Sequence, residues 1–156
     1  MVGFYAGSFD PFTNGHLQIV RKSSKWFDKV IIGIGQNLDK KSRLDKNKMK
    51  LAIEETVKQE GLNNVEVVIY DCLTTEEARR CGADILIRGL RNGTDYQYEE
   101  SIAAINEINA GIDTWYLRAG TLGYLSSSIV MDLYYHGKDV SNYVPEPVNR
   151  ILLEEK

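Results

Sequence analysis

The chain opens on Val2-Gly3-Phe4-Tyr5-Ala6-Gly7-Ser8-Phe9-Asp10-Pro11-Phe12-Thr13-Asn14-Gly15-His16-Leu17-Gln18-Ile19-Val20. An apolar run, Val2 to Ala6, gives way to a loop bearing glycine and proline, and then to apolar residues at helical spacing, Leu17, Val20 and Phe27. Short runs rich in Val, Ile and Tyr read as buried strands, and apolar residues recurring every three or four positions read as one face of a helix. The same alternation continues outward from this stretch. Val30 to Ile34, Val65 to Tyr70, Ile85 to Ile87 and Thr114 to Leu117 are further strands; Met49, Ile53 and Val57 mark a second helix, Thr75 to Cys81 a short one, and Tyr98, Ile102, Ile105 and Ile108 another. Repeated strand–helix order predicts an α/β fold, a doubly wound five-stranded parallel sheet of Rossmann-like type with right-handed crossovers and helices on both faces. Beyond the fifth strand, Ser126 to Ser128 precede Ile129, Val130, Leu133 and Tyr134, a serine-capped helix ending near Gly137. Pro145 and Pro147 punctuate the approach to a last helix carrying Val148, Ile151 and Leu152. With no linker, repeat or low-complexity segment in view, residues 1–156 read as a single domain.

The charge balance narrows the partners. The 156 residues carry 19 Lys and Arg against 22 Asp and Glu, a net charge of −3. Residues 1–91 are mildly basic and residues 92–156 acidic. A duplex nucleic-acid binder draws most of its affinity from neutralising phosphates, so an acidic chain argues for no nucleic-acid partner. A small phosphorylated ligand needs only a few local cations. No apolar run approaches the roughly 20 residues that span a bilayer, and the chain reads as cytoplasmic with no membrane partner. Two cysteines, Cys72 and Cys81, and two histidines, His16 and His136, make neither a disulfide framework nor a zinc set.

In open parallel sheets, ligands bind beyond the carboxyl ends of the strands where the strand order reverses. The loop after the first strand, Gly7 to His16, runs into a helix start, where unpaired N–H groups and the positive dipole end favour an anion. It has neither the GxxxxGK[ST] phosphate loop nor a dinucleotide fingerprint, and Gly33-Ile34-Gly35 lacks the third glycine of the latter. His16 falls in the first helical turn, where the dipole disfavours the imidazolium and leaves a neutral N–H donor for a bound phosphate. Arg88 and Arg91 flank a glycine after the fourth strand and suit phosphate oxygens. Lys46, Lys48 and Lys50 read as a solvated helix face, alongside Lys41 and Arg43 in the same run. His136, beside Gly137, reads as a surface residue.

Ser8-Phe9-Asp10-Pro11 followed by Thr13-Asn14-Gly15-His16 resembles the T/HxGH signature of the nucleotidylyltransferase superfamily. Together with Arg88-Gly89-Leu90-Arg91, then Asp95 to Glu99, then Ser126-Ser127-Ser128, it resembles the bacterial phosphopantetheine adenylyltransferase family over nearly the whole chain. That resemblance implies an enzyme moving an adenylyl group from ATP to 4′-phosphopantetheine, with dephospho-coenzyme A and pyrophosphate as products, and a homohexamer. It implies catalytic roles for His16, Lys40 and Arg91. ATP would lie against Ser8, Phe9, His16, Gly89, Leu90, Arg91, Glu99, Leu122, Gly123, Tyr124, Leu125, Ser126, Ser127 and Ser128, and the acceptor against Ser8, Lys40, Thr74 and Arg88. Mg²⁺ would arrive held mainly by the ATP phosphates, with no protein-held metal. After the third strand, Thr74-Thr75-Glu76-Glu77 is more polar than the family pattern, and Leu122 stands where a larger side chain is common. A nucleotidylyltransferase using another phosphate acceptor, or a nucleotide-sensing module without catalysis, are the alternative readings.

Overall fold

The computed structural model describes residues 1–156. Five strands, β1 (Val2–Gly7), β2 (Lys29–Gly35), β3 (Val65–Tyr70), β4 (Ile85–Leu90) and β5 (Asp113–Arg118), form one sheet in the order β3-β2-β1-β4-β5. Every pairing is parallel. The helices are α1 (Asn14–Trp26), α2 (Lys46–Gln59), α3 (Thr74–Arg80), α4 (Gly93–Ala110), α5 (Ser127–Tyr135) and α6 (Glu146–Glu154). The doubly wound sheet expected from the alternation is therefore present, and each expected strand lies inside an observed one. Phe27 is the exception among the first helical residues: it caps α1 in an extended conformation and packs into the core from there.

Alternation along the strands splits the core in two. Tyr5, Ile32, Ile34 and Ile87 face a large cluster that also holds Leu17 and Ile19 of α1, Met49 and Ile53 of α2, Val130 of α5 and Val148 of α6. Phe4, Ile31 and Leu86 point to the opposite face, in a smaller buried cluster with Ala6, Tyr70, Ala78 and Ile112. Burial of these side chains contributes roughly 1.5–3 kcal/mol each, so the first face carries most of the stabilisation.

The thin second face explains a departure in α4. Its apolar stripe forms a helix as the spacing predicts, yet Ile105 is 58% and Ile108 82% exposed, with Tyr98 and Ile102 exposed beside them. Glu99 is the one buried residue of α4. The helix meets the sheet through polar contacts, Glu99 with Arg88 of β4 and Glu100 with Tyr116 of β5, which turn the stripe outward instead of onto the strands. The tyrosines near the C-terminus also divide: Tyr134 and Tyr143 pack against the core, whereas Tyr135 is exposed.

Gly33 is required by close approach. A Cβ at this position would come 2.2 Å from Cζ of Phe4 and 2.9 Å from Cε1 of Tyr70. Phe4 is fully buried and its ring packs edge-on against Tyr70, so neither can retreat. Gly33→Ala is expected to destabilise the fold by about 1–3 kcal/mol, the usual cost of overpacking a full core. Urea unfolding should show a lower midpoint, and Phe4→Leu combined with Gly33→Ala should recover part of it.

Candidate active site

β1 lies between β2 and β4, and the chain winds away from it on both sides, so a crevice opens at the carboxyl ends of β1 and β4. A cleft of about 280 Å³ occupies that place. It is lined by the end of β1 and its loop (Tyr5 to Phe9), by α1 residues Gly15, His16 and Ile19, by Arg88 to Arg91 with Asp95 and Glu99, and by Ala119 and Leu125 to Ser128.

Local hydrogen bonding orients His16. Thr13, buried at 1% exposure, is the N-cap of α1, and its Oγ1 accepts from the His16 backbone N–H at 3.3 Å. In return the Thr13 backbone N–H donates to His16 Nδ1 at 2.9 Å, so a histidine completes a capping box in the place usually taken by Glu or Gln. Because Nδ1 accepts, the ring proton resides on Nε2. Phe9 and Phe12 pack against the ring. Burial, together with the charges of Arg88 and Arg91, lowers the His16 pKa to about 3. Burial of the ring is the largest of these contributions, followed by the two arginines. Gly15 lets the helix start approach the next segment: a Cβ there would stand 3.3 Å from the Leu122 carbonyl oxygen.

The loop before α1 is clamped from two directions. Phe9 has a left-handed backbone, φ 45°, unusual for a bulky residue. Asp10 accepts from the backbone N–H groups of Arg43 at 2.8 Å and Leu44 at 3.0 Å. Lys46 Nζ donates to the Ser8 carbonyl at 3.2 Å, and Ser127 Oγ donates to the Pro11 carbonyl at 2.7 Å. The three serines do different work. Ser126 caps α5 by accepting from the Ile129 N–H, Ser127 ties down the loop, and Ser128 accepts from Arg43 at 3.2 Å.

The arginines are less free than the sequence implies. Glu99 grips Arg88 in a two-point fork at 2.7 and 2.6 Å, and Arg88 also donates to the Ala6 carbonyl. Burial alone would lower the Arg88 pKa, but the hydrogen bonds and charge of Glu99 carry it above its ordinary value. The Glu99 carboxylate, which lines the cleft, is paired with Arg88 there. Arg91 is likewise paired, with Asp95 at 2.8 and 3.1 Å.

Ser8, Phe9, His16, Arg88, Gly89, Leu90, Arg91, Glu99, Leu125, Ser126, Ser127 and Ser128 all come together in the cleft lining. Lys40, Thr74, Leu122, Gly123 and Tyr124 do not. Lys40 is exposed in the turn that follows β2. Thr74 begins α3 and its hydroxyl pairs with that of Tyr70 at 2.9 Å. Leu122 packs against the core and Tyr124 faces outward. Two residues in the lysine run do more than face solvent, although Arg43 is exposed. Lys48 and Lys50 make exposed pairs with Glu155 and Glu54, but Lys46 and Arg43 turn toward the cleft loop. Burial lowers the Lys46 pKa, against the opposing pull of Asp10. Nothing in the run singles out Lys46, since Lys48 shares the first turn of α2 and makes an exposed pair instead.

Residues 4–141 match the cytidylyltransferase-like family, to which the chain belongs. The architecture agrees: the bifunctional NMN adenylyltransferase/ADP ribose pyrophosphatase of Francisella tularensis superposes with a TM-score of 0.71 at 16% identity, over 99% of this chain and 48% of that one. Within the family the chain is a member of the phosphopantetheine adenylyltransferases. It is 42% identical to the one from Streptococcus pneumoniae (strain 70585) over 158 residues, 99% of this chain and 96% of that protein. Identity to the one from Cytophaga hutchinsonii is also 42%, over 92% of this chain and 96% of that protein.

The neutral His16 has a consequence for stability. Its pKa falls from an ordinary 6.5 to about 3 on folding, so between those values the unfolded chain takes up a proton that the folded one refuses. Stability should fall as pH drops from 6.5 toward 3 and stay flat with respect to this group above 6.5. His16→Asn should remove that part of the slope in denaturation series at pH 4 to 7. Imidazole nitrogen NMR should show an Nε2–H tautomer throughout this range; titration of His16 near pH 6 would contradict the buried capping geometry.

Proposed function

We propose that the chain is a single nucleotidylyltransferase domain, residues 1–156, transferring the adenylyl group of ATP to 4′-phosphopantetheine, with dephospho-coenzyme A and pyrophosphate as products. The observation that carries the reading is the locked neutral His16, its Nε2–H donor held in the cleft between the Arg88–Arg91 segment and the serine start of α5, in a chain 42% identical over nearly its full length to named phosphopantetheine adenylyltransferases.

An acceptor phosphate oxygen forms a bond to the α-phosphorus as the bond to the β-phosphate oxygen breaks, and the electron pair departs with pyrophosphate. The attacking phosphate is already anionic, so catalysis consists of positioning two repelling anions and stabilising the charge that grows. His16 Nε2–H serves as a donor to the α-phosphate without bringing a mobile proton. Arg88, fixed by Glu99, serves the acceptor phosphate; Arg91 and the N–H groups and hydroxyls at Ser126 to Ser128 serve the ATP phosphates. The resemblance adds Lys40 and Thr74 on the acceptor side, and Leu122, Gly123 and Tyr124 beside the nucleotide. Lys40 would need its exposed turn to swing inward.

Mg²⁺ belongs to this proposal as part of the nucleotide substrate. No group of three or more His, Cys, Asp or Glu side chains is arranged to hold a metal ion, which favours an ion carried by the ATP phosphates and screening their charge. A cytoplasmic location is proposed with it; no helix is long and apolar enough to cross a membrane. We also propose the homohexamer that the resemblance implies, supported by the exposed apolar stripe of α4, Tyr98, Ile102, Ile105 and Ile108.

Pyrophosphate release from ATP should depend on phosphopantetheine and not be replaced by nicotinamide mononucleotide, nor ATP by CTP. Failure of phosphopantetheine to support release would sink the reading. His16→Ala, confirmed folded by circular dichroism, should lose about 10²–10³ in kcat, the usual loss of one preorganised donor. Light scattering should return six times the chain mass, and Ile105→Glu with Ile108→Glu should give a smaller species; a monomer in the unaltered protein would exclude the assembly.

A further inference from the structure

We propose that Arg43 is a further binding residue for the nucleotide, one that grips the phosphates beyond the α-phosphate and hence the departing pyrophosphate. The inference rests on the adenylyl-transfer reading above.

The cations in and beside the cleft differ in how much of their charge is already answered; Arg43 is not among the lining residues but reaches one of them, Ser128. Arg88 is forked by Glu99 and Arg91 by Asp95, each at ion-pair distance. Arg43 forms no ion pair with any carboxylate, and its guanidinium donates only to neutral acceptors, the Asp10 carbonyl at 3.3 Å and the Ser128 hydroxyl at 3.2 Å. These are long for bonds from a cation, which reach about 2.7–2.9 Å with anionic oxygens. Exchange of either acceptor for a phosphate oxygen is therefore favourable.

Placement points to the distal phosphates. Ser128 lines the cleft in the first turn of α5, beside Ser126 and Ser127, on a different element from Arg88 of β4. The Arg43 backbone is anchored through its N–H to the Asp10 carboxylate, and the next residue, Leu44, is buried. Only the exposed side chain is left to turn. In an in-line displacement the leaving group departs opposite the attacking oxygen. A guanidinium at the α5 start, away from the Arg88 side proposed for the acceptor, meets the leaving side. As the bond from the α-phosphorus to the β-phosphate oxygen breaks, negative charge collects on pyrophosphate, and an uncommitted planar fork there becomes a stronger partner as the reaction proceeds. Arg43 is also the single arginine in a run that is otherwise lysine, from Lys40 to Lys50.

The test separates phosphate binding from loop clamping. Arg43→Met keeps the apolar stem and removes the charge; Arg43→Lys keeps a cation without the fork. Calorimetric binding of ATP and of AMP is compared in the unaltered protein and both variants, together with KM for pyrophosphate in the reverse reaction. Arg43→Met should weaken ATP and raise the pyrophosphate KM by about 10–100-fold, the range for losing a hydrogen bond to a charged group. AMP affinity and the acceptor KM should stay unchanged, and Arg43→Lys should recover part of the loss. ATP binding by Arg43→Met equal to that of the unaltered protein overturns the proposal. So does a parallel loss of AMP and ATP affinity, which would mark Arg43 as a loop clamp alone. Absence of turnover with phosphopantetheine in the unaltered protein would defeat the reading of the reaction, while the ATP-against-AMP comparison would still decide Arg43.

Discussion

The reversal of winding at β1 is the constraint on which everything else depends. With all five strands parallel and β1 beside both β2 and β4, the connections leaving β1 and β4 depart to opposite sides and cannot cover the ends of those strands. The cleft is thus a by-product of topology. What distinguishes this chain is the material placed around it: a helix start carrying His16, a glycine between two arginines, and a second helix start carrying three serines.

Each of these parts is held by its neighbours before any ligand arrives. Thr13 fixes the His16 tautomer, Glu99 fixes Arg88, Asp95 fixes Arg91, and the segment from Arg43 to Lys46 fixes Ser8 and Asp10. Preorganisation of this kind removes reorganisation from the chemical step, where donors must already face the growing charge. The left-handed backbone of Phe9 survives within the same clamp, its ring buried against Tyr5 and His16.

The two faces of the sheet serve different ends. One is a continuous core built by four helices and accounts for most of the burial. The other is thin, and α4 rests on it through carboxylates, leaving its isoleucines outside. Periodicity reports that a helix has an apolar side, but not whether that side meets the chain's own sheet. Polar anchors at Glu99 and Glu100 decide the matter, and their partners Arg88 and Tyr116 lie 11 and 16 residues away.

Strand order along the chain, helix spacing and the loop Gly7 to His16 were legible in the sequence alone because they depend on local propensity and on residues a few positions apart. The same holds for His16 as a first-turn residue and for Ser126 as a cap. Tertiary structure alone settled the rest. The leading cause of the His16 pKa is burial among Phe9, Phe12 and Tyr5, the Glu99 carboxylate is spent on Arg88, and Lys40 stands outside the cleft that Lys46 and Arg43 approach. A run of like charges has no periodicity to say which member turns inward. That depends on carbonyls and hydroxyls such as those of Ser8 and Ser128, brought close only when the strands have paired and the helices have packed.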